Sequence, residues 1–350
     1  MKKSIEKKGF INSIESFPII IVFVILILIF LATATQVFSG YRIYMSFLQT
    51  VPPQLVIALG LTLVITAGEI DLSFPAIVAF SGFLFSFVFK RFNSPLLGLF
   101  LALAGGALAG YINGLLIAKI GIPSIMATLA AQFFWNGFTT LICEGLSWNI
   151  IDIRGRFLHI LFVGRIGGVV PVQSIWALGL AVLIWFLLNR HKFGEAIMFI
   201  GDNQSVARVV GINVEGTKIA LFTIHGVLAA FGGILLTLEM ANFWSTQGAG
   251  FLLPVMAAVF IGGTSIAGGY GTIVGTFFGM FIIGSLEAGV VATGIGGYWV
   301  RLVSGLVMAF SIILNIVVSR ESLRGTVRKF RRKQSLQNLT NRAGEASSDD

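Results

Sequence analysis

Long apolar runs, broken by short polar segments, set the pattern of this chain. Phe17–Leu31 is almost wholly apolar, and with Ala32–Val37 it is long enough to span a bilayer. Further spans are predicted at Leu48–Thr66, Phe74–Phe89, Leu96–Ile117 and Pro123–Cys143. After the polar stretch Glu144–Pro171 come Ser174–Leu188, Ile219–Glu239, Leu253–Ile266, Thr272–Thr293 and Tyr298–Val318. The expected fold is therefore all-α and polytopic, with about ten transmembrane helices. Several segments are shorter than a full span of about 17–25 residues, as discontinuous or tilted helices are. Eight or nine crossings is the alternative count.

One polar interruption also reads as ordered structure. Arg190–Lys218 carries Arg190, Lys192, Arg208 and Lys218. Within it Ser205–Val210 has helical spacing, Asp202 or Asn203 can supply the N-terminal cap, and Gly211 follows as a stop. A short capped helix held between two spans suits docking to a soluble partner. A plain solvated loop is the bland alternative.

Composition puts the bilayer around most of the chain. The 350 residues are 56% hydrophobic and only 11% charged, against about 25% for a soluble domain. The net charge of +9 does not point to nucleic acid, because the cations gather at the termini and in the central loop. Placing the N-terminus inside puts 17 of the 24 cations on the inner side. Only Arg42, Lys90, Arg91, Arg154, Arg156, Arg165 and Arg301 fall outside. This bias predicts N-in, C-in and a cytoplasmic central loop. Met1–Ser16 reads as a basic cytoplasmic leader, 17–319 as one transmembrane domain, and 320–350 as a basic then disordered tail in contact with lipid. The spacing Ala32-Thr-Ala34 offers a signal-peptide alternative, although the apolar run exceeds the usual length of about 7–15 residues.

The 42 glycines include Gly105, Gly106, Gly110, Gly114, Gly275 and Gly279, at spacings that let helix backbones approach closely in lipid. The single cysteine, Cys143, gives no disulfide and no metal-site spacing, and His159, His191 and His225 are scattered. The sequence has no phosphate loop, so the chain is not expected to hydrolyse ATP, and no cofactor or metal site is expected.

Polar residues inside apolar runs are the better guide to function. Glu69, Asp71 and Ser73 lie between two spans, as candidates for a translocation path or as caps for the helix beginning near Phe74. Asn113, Gln132, Asn136, His225, Glu239 and Glu287 are the others, each suited to a helix-to-helix hydrogen bond. Trp135 beside Asn136 pairs an aromatic face with a hydrogen-bonding group, as a sugar-like ligand needs, and so does Trp244 near Asn242.

Three motifs, in order, resemble the permeases of ribose-type ABC importers. Gly68-Glu69-Ile70-Asp71-Leu72-Ser73 resembles that family's G-G-I-D-L-S. Gly194, Ile200-Gly201-Asp202-Asn203, Ala207-Arg208 and Gly211-Ile212-Asn213-Val214 resemble its cytoplasmic loop. Ala257-Ala258-Val259-Phe260-Ile261-Gly262-Gly263-Thr264-Ser265, continuing through Gly268-Gly269 to Gly271-Thr272, resembles its A-A-V-x-x-G-G-T-S-x-x-G-G-x-G-T. The resemblance runs from roughly Val51 to Ile316. It implies an inner-membrane import subunit that works with a second permease chain, cytoplasmic ATP-binding subunits and an extracytoplasmic substrate-binding protein. It marks Gly201, Asp202, Asn203, Ala207, Arg208 and Gly211 as the segment that touches the ATPase.

Glu69 departs from the family's second glycine. Leu252-Leu253-Pro254 stands where many members have an acidic, tyrosine-containing run. The solute is therefore open among ribose, other sugars, polyols, nucleosides, riboflavin-like molecules and furanosyl signals. The competing reading is an ion-coupled secondary transporter using Glu69, Asp71, Glu239 or Glu287. A membrane-embedded enzyme is a third class, without a paired catalytic constellation to support it.

Overall fold

The computed structural model describes residues 17–292 and isolated positions at 299, 302, 305, 306, 309 and 313. The predicted leader, tail and most of the last predicted span lie outside these residues.

The described chain is helical. It comprises α1 (Phe17–Thr33), α2 (Thr35–Phe38), α3 (Tyr41–Thr66), α4 (Phe74–Phe92), α5 (Pro95–Leu115) and α6 (Ser124–Ile142). Then follow α7 (Phe157–Val163), α8 (Val172–Arg190), α9 (Lys192–Asp202), α10 (Gln204–Val209), α11 (Val214–Met240), α12 (Leu252–Ile261) and α13 (Ile273–Ala292). A π-helical turn, Leu116–Ile120, ends α5, and Ile151–Ile153 forms a 3-10 turn. Two antiparallel pairs of two-residue strands complete the list: β1 (Trp148–Asn149) with β4 (Asn242–Phe243), and β2 (Arg165–Ile166) with β3 (Val170–Pro171).

Among the described residues, seven helices are long and apolar enough to cross a membrane: α3, α4, α5 with its π turn, α6, α8, α11 and α13. The predicted spans at the first and eighth positions correspond to α1 and α12, which are shorter.

The middle of the molecule is α11, with α3 and α4 on either side. Gly60 of α3 lies against His225, and Gly232 lies against Pro53, so α3 runs antiparallel to α11. Phe74 of α4 lies beside His225, and Gly233 lies against Val78, so α4 runs parallel to it. Gly106 and Gly110 of α5 bring its backbone onto that of α11 at Gly226 and Phe222. Close backbone contact of this kind replaces the hydrophobic drive that helices lack in lipid. The spacing of small residues read from the sequence serves this contact. Gly275 and Gly279 likewise seat α13 on α12.

Pro52 and Pro53 lie inside α3. A helical proline leaves the carbonyl four residues earlier without its amide. For Pro53 that carbonyl is Gln49, and Gln173 of α8 donates to it at 2.6 Å. Gln49 and Gln173 also donate to Glu239, and Arg165 donates to Gln49 at 2.8 Å. Glu239 is thus engaged at one end of the bundle. The β1–β4 pair and Arg156, whose guanidinium lies 5.2 Å from the Phe89 ring centroid, belong to the same end.

Candidate functional site: a re-entrant segment and a helical hairpin

The three sequence motifs meet at the opposite end. The backbone amide of Gly269 donates to the carbonyl of Thr66, the last residue of α3, at 2.9 Å. Gly201, near the end of α9, is wedged between that carbonyl and Gly269, where any side chain would overlap backbone. Gly268 in turn backs onto Gly68 and Gly201. Segments more than sixty residues apart thus share one glycine knot.

From this knot the chain turns back into the bundle. Residues 67–73 are not helical, and α4 begins at Phe74, whose ring centroid is 5.9 Å from that of His225. His225 lies about 16 Å along α11 from its first residue, at about 1.5 Å of rise per residue. Non-helical backbone at such depth is tolerated only where it is buried in protein or lines a water-filled cavity.

Partners come from α6. Ser124 accepts from the amide of Ile70 (3.1 Å), Thr128 from that of Leu72 (3.0 Å), and Gln132 from that of Ala76 (3.0 Å). The Thr128 hydroxyl also reaches the Ile70 carbonyl at 3.3 Å and its own helix's Ser124 carbonyl at 2.7 Å. Positions 124, 128 and 132 form one stripe of α6, so the helix offers a ladder of side-chain acceptors to an extended strand. Asn136, half-buried, continues that stripe.

Alternate side chains of the segment engage the helices. Glu69 pairs with Lys218 in the second turn of α11, with side-chain exposures of 13% and 8%. The Asp71 carboxylate is fully buried; its Oδ1 accepts from the Ser73 amide (2.7 Å) and hydroxyl (2.6 Å). Its Oδ2 faces His225 Nε2 at 3.7 Å, longer than a hydrogen bond. Asn113 of α5 donates to the Ser73 hydroxyl at 2.8 Å. Asp71, Ser73, Asn113 and His225 all have zero exposure.

Asp71 therefore caps the turn ahead of α4. Ser73 is the residue before α4, but neither its side chain nor that of Asp71 accepts an amide of the helix's first turn, as sequence reasoning allowed; Gln132 accepts from the Ala76 amide.

Trp135 stands apart from this cluster. It is buried on α6 with its ring centroid 4.6 Å from that of Phe80.

The predicted short helix is α10, and its cap is Asn203, whose Oδ1 accepts from Ser205 (3.0 Å) and Val206 (3.1 Å). Asp202 is the exposed last residue of α9. Ala207 is buried with Ile200 and Val214. Gly211 follows with φ +86°, the left-handed geometry in which glycine avoids a Cβ clash. Arg208 is exposed and pairs with Glu215.

Sequence reasoning missed α9 entirely. Its signal was the spacing of Phe193, Ile197 and Ile200, with Ile197 and Ile200 now buried. It also counted Lys218 as a flanking cation, whereas Lys218 is buried. Ser124 and Thr128 were passed over too; with Gln132 they fall at intervals of four.

The family described as "Branched-chain amino acid transport system / permease component" matches residues 43–312. The ribose import permease protein of Escherichia coli strain K12 is 32% identical over 270 residues, covering 77% of this chain and 84% of the relative. That of Bacillus subtilis strain 168 is 34% identical over 262 residues, covering 74% and 80%. The fructose import permease protein of Rhizobium meliloti is 30% identical over 307 residues, covering 83% and 84%. No solved structure matches. With the long apolar helices and the motif knot already in place, these matches show that the chain belongs to this transport-permease family, as a multi-pass membrane protein.

Proposed function

We propose that this permease moves a ribose-like sugar or related small polar solute inward, driven by ATP hydrolysis on a separate subunit. The names of its relatives support the solute class. The observation that carries the mechanism is the seating of the α9–α10 hairpin, through Gly201, on the end of α3 and the 262–272 loop. A push on the hairpin is thereby applied to the membrane helices at a rigid point.

In this reading Gly201, Asp202, Asn203, Ala207, Arg208 and Gly211 form the coupling segment. The bundle is a single domain over 17–319 in N-in, C-in orientation, with about ten crossings. It works with a second permease chain, cytoplasmic ATP-binding subunits and an extracytoplasmic binding protein. Glu69, Asp71, Ser73 and Asn113, with Trp135 and Asn136 on α6, flank the translocation path. Asp71, Ser73 and Asn113, all fully buried, hold segment 67–73 in shape rather than meeting solute directly. Of the four carboxylates the ion-coupled alternative could use, Glu69 is already balanced by the Lys218 ammonium, which counts against it as an ion site.

The test is uptake of labelled ribose by cells expressing the whole transporter, with ATP depleted and the ion gradient kept intact. Uptake is expected to stop. In parallel, Arg208→Glu and Gly211→Val should insert normally yet lose capture of the ATPase subunit and uptake together. Uptake that persists without ATP, or wild-type capture and uptake in both variants, overturns the reading.

A further inference from the structure

Lys218 is a cation with two partners on two separate parts of the chain. Its ammonium donates to Glu69 Oε1 on the re-entrant segment and to Gln204 Oε1, in the first turn of α10, at 3.0 Å. With 6% of its surface exposed, it is among the few charged side chains buried among the described residues. Burying an ammonium is costly unless it is paired and hydrogen-bonded, and here both bonds are strong, charge-assisted ones. Seven residues further along the same face of α11, His225 faces Asp71. The segment 69–73 thus meets α11 at two levels, and of these two the Lys218 level continues out to the hairpin through side chains, beside the backbone contact of Gly68 with Gly201.

We propose that Lys218 is the positioning residue through which the α9–α10 hairpin moves segment 67–73. This rests on the coupling reading above. The path is short and continuous: Gln204 on α10, Lys218 on α11, Glu69 on the segment, then Asp71 and Ser73 at the start of α4. The glycine knot supplies a rigid pivot at Gly201, while the Lys218 bonds supply a polar link that re-forms when the hairpin shifts. Lys218 touches no solute in this scheme. It converts a displacement of the hairpin into a displacement of the backbone that precedes α4.

Hydrogen exchange on the assembled transporter, with and without ATP and vanadate, tests this without needing the solute. In the wild type, trapping the nucleotide is expected to change exchange both in 192–209 and in the peptide 68–76. Gln204→Leu cuts only the outer bond and leaves the buried Glu69–Lys218 pair intact, so folding is preserved. It should keep the change in 192–209 and lose the change in 68–76. Gln204→Glu, which restores an acceptor for Lys218, should recover it. A merely structural role for Gln204 would alter basal exchange without separating the two peptides. If 68–76 responds in Gln204→Leu as in the wild type, the inference is overturned while the coupling reading stands. If 192–209 fails to respond in the wild type, both fall.

Discussion

A methyl group added at Gly110 would overlap the carbonyl of Phe222, because α5 and α11 touch there backbone to backbone. At Gly179 of α8 the same methyl group would meet nothing within 4 Å. The two substitutions therefore diverge. Gly110→Ala forces the helices apart and should destabilise by about 1–3 kcal/mol, as overpacking does. Gly179→Ala should be neutral or stabilising, by at most about 1 kcal/mol, since it removes a helix-interior glycine. Thermal unfolding of the purified protein in detergent checks this, and equal midpoints for the two variants would refute it. The sequence made half of the contact visible. The small-residue run from Gly105 to Gly114 announced a close approach, but nothing in it named α11 as the partner. That choice is settled by three-dimensional fit, including Gly226, whose own added Cβ would overlap Gly106. The buried state of Lys218 was hidden for the same reason: a lysine near the start of a span reads as a surface charge until its carboxylate, 149 residues away, is in place.

At the scale of elements, segment 67–73 depends on α6 as a strand depends on its neighbour. Three amides of the segment and the following turn end on Ser124, Thr128 and Gln132. Each buried amide left without a partner costs about 1–3 kcal/mol. Thr128→Val keeps the shape and removes the acceptor for Leu72, so the segment should open locally while the helices stay folded. Hydrogen exchange in 68–76 is expected to rise about tenfold or more, given that about 1.4 kcal/mol is a factor of ten. Exchange in the middle of α11 should not change. Unchanged exchange in 68–76 would mean that α6 does not support the segment. The motif itself was legible, with Asp71 and Ser73 read as caps of the helix near Phe74; their role in the turn ahead of that helix was not. Its depth was not, because a polar hexapeptide between two apolar runs has the pattern of an exposed loop. The hairpin was read in part: α10, its stop at Gly211 and a cap at one of two residues came from local rules, and the amphipathic α9 before it was missed.

For the whole molecule, the loops sort into two groups. The 67–73 segment, the hairpin and the 262–272 loop meet at one end. The stretch containing β1 and α7 meets β4 and the Gln49 cluster at the other. The cations assigned outside by counting along the sequence include Arg156 and Arg165, which lie in this second group. Among the described residues, seven long helices and two shorter apolar ones carry this arrangement; α1 ends at a bend at Ala34 and α12 at Gly262-Gly263. The sidedness remains a prediction that the native cysteine makes convenient to test. Cys143 is 2% exposed, so the unmodified chain should resist maleimide. Val209 on α10 is 86% exposed and Ile166 on β2 is 55% exposed. With α8 as the single span between them, the two positions must face opposite sides. In intact cells treated with a membrane-impermeant maleimide, Ile166→Cys should label and Val209→Cys should not. Permeabilising the cells should expose Val209→Cys as well. The reverse pattern would invert the orientation and place the α9–α10 hairpin away from any cytoplasmic ATPase; labelling of both in intact cells would deny that α8 crosses the membrane.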